Sequence, residues 1–124
     1  MISIIDDDEG VRLATGQLVR ALGYAVATFA SAEDFLNSGR TKEMSCVIAD
    51  VCMPGLTGID LLKRVKADGH RCPVILMTST LDDGMREPAL AAGAHCFLAK
   101  PYYVHEMIHC IDSAIAAYRR VVRG

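Results

Sequence analysis

Residues 46–58 read CVIADVCMPGLTG. An apolar run rich in β-branched residues, Cys46 to Ala49, stops at a single acidic residue, Asp50. Met53, Pro54, Gly55 and Gly58 then mark a tight-turn loop, so the pattern is a buried strand delivering one carboxylate to a loop. Four more runs of the same kind recur at Ile2 to Ile5, Tyr24 to Phe29, Val74 to Met77 and Cys96 to Ala99. Between them lie stretches with helical spacing, such as Val11, Ala14, Leu18, Leu22 and Leu61, Leu62, Val65. Gly23, Gly69 and Gly93 punctuate helix ends, and Ser31 is placed to cap the second helix. The reading is βα repeated five times. Continuous apolar strands alternating with helices predict an α/β, doubly wound parallel sheet covered on both faces through right-handed crossovers. In such a fold the ligand site lies beyond the carboxyl ends of the strands.

The bulk composition sets bounds on this reading. A length of 124 residues suits a single domain, and no segment has the character of a linker before a tail that begins at about residue 118. The chain is 52% hydrophobic and 23% charged, with 13 basic against 15 acidic residues, which is globular composition with no global attraction to nucleic acid. Arg119, Arg120 and Arg123 form the one obvious basic cluster, equally readable as a solvated helix end. No apolar run reaches the roughly 18 residues of a membrane span, so no membrane contact and a cytoplasmic location are expected. Cys46, Cys52, Cys72, Cys96 and Cys110 are scattered, with no C-x-x-C pair. They read mostly as reduced, buried small hydrophobes, Cys52 included.

Applying the strand-end rule gathers a constellation. Asp6, Asp7 and Asp8 follow the first strand, Asp50 the third, Thr78 and Ser79 the fourth, and Lys100 and Pro101 the fifth. Ionised carboxylates crowded together repel by about 1–4 kcal/mol per pair, and a bound cation relieves this. All-oxygen ligands suit Mg²⁺ or Mn²⁺, whereas zinc prefers nitrogen and sulfur. With Lys100 as a point charge and Thr78 as a hydroxyl donor, the set has the parts for phosphoryl chemistry. Asp50, standing alone at the end of the central strand, is the candidate nucleophile. Asp6 and Asp7 are then candidates to hold the metal.

These residues, read together as IDDDE (5–9), DVCMPGLTG (50–58), MTS (77–79) and AKP (99–101), resemble the response-regulator receiver family, a CheY-like superfamily. The resemblance runs from residue 1 to about 118. It implies a flavodoxin-like five-stranded sheet in the order 2-1-3-4-5 with five helices. It also implies two-component signal transduction, in which Asp50 is phosphorylated by a histidine kinase or histidine phosphotransfer protein. On that resemblance Asp7, Asp50 and the backbone carbonyl of Cys52 bind Mg²⁺ directly, and Asp6 acts largely through metal-bound water. Thr78 and Phe97 become the switch pair, and the Lys100–Pro101 bond is expected to be cis. The family is not a conventional enzyme; phosphorylation and dephosphorylation occur on the domain itself. An output domain or effector is expected outside this chain, with dimerisation on phosphorylation. SAEDFL (31–36) and IDDDEGVR (5–12) are similar to the receivers of FixJ-type regulators.

Three features stand apart from that pattern. Pro88 falls where the resemblance puts the middle of the fourth helix, and an interior proline costs about 3 kcal/mol, so a shortened or displaced helix beginning near Glu87 is expected, led by a loop through Gly84. Cys52 and Thr80 occupy the positions that in the family tune the lifetime of the acyl phosphate. HEMIH, His105 to His109, matches the H-E-x-x-H pattern of zinc proteases. However, Val104, Met107, Ile108, Ile111 and Ile115 form that helix's apolar stripe and leave both histidines at its flank. The rival functional class is a receiver-like interaction module that never carries phosphate. An aspartate-nucleophile hydrolase fits less well, because it wants a second acid two residues after the nucleophile, where Cys52 stands.

Overall fold

The computed structural model describes residues 1–79 and 83–123. Five strands, β1 (Ile2–Ile5), β2 (Val26–Phe29), β3 (Cys46–Asp50), β4 (Val74–Thr78) and β5 (Cys96–Ala99), alternate with α1 (Glu9–Ala21), α2 (Ala32–Asn37), α3 (Gly58–Ala67), α4 (Arg86–Ala91) and α5 (Val104–Arg123). All pairings are parallel, in the order β2-β1-β3-β4-β5. β2 starts at Val26 rather than Tyr24. β3 and β4 each run one residue further than the apolar pattern indicates, so Asp50 and Thr78 are the last residues of their strands and are held by the ladder itself.

The three inner strands are buried along their whole length, which is why they read as unbroken apolar runs. Their alternate residues feed two cores. Ile5, Val47, Ala49 and Leu76 meet Phe35, Leu61, Leu62, Val65 and Ala89 from α2, α3 and α4. Ile2, Ile4, Ile48, Ile75 and Met77 meet Val19 of α1 and Met107, Ile111 and Ala114 of α5 on the other face. The α5 seam differs from the expected stripe: Val104 is exposed and Ile108 half-buried, while Cys110 and Ala114 are buried. The helix begins at Val104, which is exposed, and its buried seam starts at Met107.

Local chemistry fixes the helix ends. Asp8 and Ser31 cap α1 and α2 by accepting from the Val11 and Asp34 N–H groups, and Thr57 with Asp60 forms a reciprocal capping box on α3. Gly23, Gly69 and Gly93 each stand just past a helix with positive φ. α4 is six residues long and starts at Arg86, one residue before the expected Glu87. Pro88 sits in its first turn, where a missing N–H leaves no intrahelical bond unmade. Gly84 lies in a single 3-10 turn just before it. Thr80 lies outside the described residues.

Candidate functional site

Parallel pairing brings the carboxyl ends of β1, β3, β4 and β5 to one edge. Asp6 follows β1 and is held by its N–H to the Phe29 carbonyl at 3.1 Å. Lys100 follows β5, with its N–H on the Thr78 carbonyl at 2.7 Å. The Lys100–Pro101 peptide bond is cis. Lys100 Nζ reaches back over the edge and donates to Asp6 Oδ2 at 2.7 Å and Asp50 Oδ2 at 3.0 Å. The remaining oxygens are also engaged: Asp6 Oδ1 accepts from the Asp8 N–H at 2.9 Å, and Asp50 Oδ1 from the Cys52 N–H at 3.2 Å. Both carboxylates are thus fixed in place before any ligand arrives.

The charges do not balance. Asp6 and Asp50 are buried and Asp7 is exposed at the rim, and one ligand oxygen from each lies within 4.8 Å of the others. Three carboxylates face one ammonium. Burial pushes the Asp6 carboxyl above its ordinary range, and the Lys100 and Asp8 hydrogen bonds only partly offset it. Burial alone would lower the Lys100 pKa, but the bonds to Asp6 and Asp50 outweigh it and the pKa is raised. The cluster therefore fits a hard divalent cation: the donors are all oxygen, they converge, and their repulsion is incompletely neutralised.

The cluster opens onto a cavity of about 640 Å³. Asp7, Asp50, Cys52, Ser79 and Lys100 form its polar side, and Val11, Ala14, Pro101 and Tyr102 its apolar side. Cys52 is exposed here, contrary to the burial expected of it, because the β3–α3 loop turns it out to the rim. Thr78 is 2% exposed and is absent from the cavity wall, where Ser79 stands instead. Phe97 is half-buried and packs against the core on the α2–α4 side of the sheet. His105 and His109 are exposed on α5, away from the cavity, and the His105 ring stacks on Tyr103 at 5.7 Å.

Several further residues support the site, and of these only Gly58 carries a local sequence signal. A Cβ on Gly58 would run into the Asp50 carbonyl oxygen and lie 3.0 Å from Val51 Cα, so only glycine lets α3 start this close to Asp50. Glu33, on α2, accepts from the Leu56 N–H at 3.3 Å and braces the same loop. The Arg12 guanidinium donates to the Asp6 carbonyl at 2.7 Å. The fully buried Thr15 hydroxyl bonds Tyr102 OH at 2.8 Å, tying α1 to the loop that carries Lys100.

Comparison with known proteins points the same way. The profile of the response regulator receiver domain matches residues 2–112. The response regulator protein TodT of Pseudomonas putida is 36% identical over 93% of this chain and 51% of its own length. The transcriptional regulatory protein FixJ of Bradyrhizobium diazoefficiens is 39% identical over 92% of this chain and 56% of its own. The chain thus spans about half the length of these curated relatives. A response regulator receiver domain protein from Clostridium thermocellum superposes with a TM-score of 0.90 at 27% identity, covering 97% of each chain. Among the described residues no helix is long and apolar enough to cross a membrane.

Proposed function

Because the chain belongs to the response regulator receiver domain family, whose role is phosphorylation-dependent signalling in two-component systems, we propose that Asp50 is its phosphoacceptor. The observation that carries this reading is the placement of Asp50: nearly buried at the end of the central strand, 3.0 Å from Lys100 and clustered with Asp6 and Asp7. Asp7, Asp50 and the main-chain carbonyl of Cys52 would hold Mg²⁺, or Mn²⁺, with Asp6 acting through metal-bound water. When bound, the ion supplies positive charge against the phosphoryl oxygens and the crowded carboxylates.

The donor is a phosphohistidine on a histidine kinase or phosphotransfer protein. An Asp50 oxygen forms a bond to phosphorus as the P–N bond breaks; the imidazole keeps the electron pair and takes a proton from solvent. Lys100 pairs with the transferred group, and the open cavity admits the donor's side chain. Cys52, at the cavity rim, stands where it can affect access of water to the acyl phosphate. Thr78 and Phe97 form the switch pair, the hydroxyl moving toward the phosphoryl group as the ring turns inward. Reversing a 1:99 equilibrium takes about 5.5 kcal/mol of differential interaction, a scale that one hydroxyl bond, one lysine pairing and metal bridging can reach together.

In this reading residues 1–124 are one receiver domain acting in the cytoplasm, with the tail from about 118 leading into a linker. The output domain or effector lies outside the chain, and phosphorylation promotes dimerisation. Beryllofluoride with Mg²⁺, a stand-in for the phosphoryl group, tests the proposal against a module that never carries phosphate. Amide resonances of residues 50–53, 78 and 97–100 should shift together and only when both reagents are present. A spectrum unchanged by the pair would favour the phosphate-free module.

A further inference from the structure

Every crossover in a parallel sheet returns the chain to the amino ends of the strands, so the loops divide between two ends. The end opposite Asp50 comprises the last turn of α1, the α2–β3 loop, the last turn of α3 with the α3–β4 loop, the α4–β5 loop and the last turns of α5. Nine of the chain's 13 Lys and Arg residues lie there, against two of its 15 Asp and Glu. Those two are used up locally: Glu43 pairs with Arg40 at 3.1 Å and Asp68 with Arg64 at 3.4 Å. Arg20, Lys42, Lys66, Arg71, Arg119, Arg120 and Arg123 are left, all exposed and in no ion pair among the described residues. The rest of the chain holds 13 acidic and four basic residues. A net charge of -2 therefore conceals two opposed poles.

The basic pole also has relief. Two clefts of about 220 and 300 Å³ flank Arg71 and Tyr118; Lys42 and His70 line one, Lys66 and His95 the other, and no carboxylate lines either. Seven cations spread over four separate segments match an extended, repeating anion better than a small one. Val121, Val122 and Leu90, at the end of α4, are the large exposed apolar side chains at this end among the described residues, too few for insertion into a bilayer.

We propose that this end of the domain is an electrostatic contact surface for the phosphate backbone of duplex nucleic acid, oriented by the repulsion of the acidic pole. The lack of global attraction to nucleic acid expected from net charge averages the two poles and does not describe this local surface. The contact is independent of base sequence and independent of the role of Asp50.

Fluorescence anisotropy of a labelled duplex of arbitrary sequence, titrated with the 124-residue chain, tests it. Binding should be seen at low salt and weaken on the order of 10²–10³-fold between 50 and 200 mM NaCl, as expected for about five phosphate contacts. The triple variant Lys66→Gln/Arg71→Gln/Arg120→Gln should lose at least tenfold in affinity with an unchanged urea midpoint, as should Lys42→Gln/Arg123→Gln. Arg86→Gln, at the start of α4, should bind like the parent. Absence of binding at 50 mM NaCl, or tighter binding to phosphatidylserine vesicles than to duplex, would overturn the proposal. So would a salt-sensitive rise in sedimentation coefficient without DNA, which would give the face to a second copy of the chain.

Discussion

Replacing Lys100 with methionine keeps the length of the side chain and removes its charge. The ammonium bridges Asp6 Oδ2 at 2.7 Å and Asp50 Oδ2 at 3.0 Å, and the three side chains are 12%, 0% and 5% exposed. Taking one partner from a buried pair typically costs about 3–5 kcal/mol, because a charge is left uncompensated. Here the cavity gives Asp50 and Asp7 some access to water, so about 3 kcal/mol is expected at pH 7 without divalent cation. The pH dependence follows from Asp6. Burial already holds its pKa above the ordinary value of 3.8, the Lys100 bond pulls it down, and removing that bond raises it further. A carboxyl whose folded pKa is raised costs stability above that pKa, and the cost fades as pH falls through the folded value toward the unfolded one. The gap between parent and variant should therefore narrow from pH 7 to pH 5. Saturating Mg²⁺ should narrow it too: an ion that binds only the folded state stabilises it the more, the tighter it binds, and carboxylates freed of the Lys100 charge hold the ion more tightly than those of the parent. Urea unfolding followed by far-UV circular dichroism at the two pH values reads both effects. A gap below about 1 kcal/mol at pH 7, or one that is the same at both pH values, would refute the reasoning.

Two further substitutions test the supports of the site. Gly58→Ala drives a methyl group into the Asp50 carbonyl, and neither backbone can rotate away, so a loss of about 2 kcal/mol and weaker Mg²⁺ binding are expected despite alanine's better helix propensity; a stabilised variant would show that α3 can start elsewhere. Tyr102→Phe strands the buried Thr15 hydroxyl and should cost about 1–2 kcal/mol, while Thr15→Val combined with it should cost less than the sum of the singles. Strict additivity in that double-mutant cycle would mean the 2.8 Å contact carries no coupling.

What the sequence made legible, and what it did not, follows from range. Asp6, Asp50, Thr78 and Lys100 were readable because each stands at or beside the end of a short apolar run, and parallel topology brings such ends together. The proline in α4 was readable because its constraint is local. Tyr102 and Thr15 are 87 residues apart and Leu56 and Glu33 are 23 apart, so no periodicity links them. Cys52 looked like a core residue by type, but the loop pinned by Gly58 and Glu33 turns it outward. The polarised charge was invisible for the same reason. Lys42, Lys66 and Arg71 are unremarkable in the chain and become neighbours of the C-terminal arginines only through the crossovers.

Whether Asp50 takes the phosphoryl group is read by incubating the chain with acetyl phosphate and Mg²⁺ and following intact mass and peptide mapping. One hydroxylamine-labile phosphate is expected, located on Asp50, dependent on Mg²⁺ and absent from Asp50→Asn. The same phosphate persisting in Asp50→Asn, or mapping to another residue in the parent chain, would contradict it.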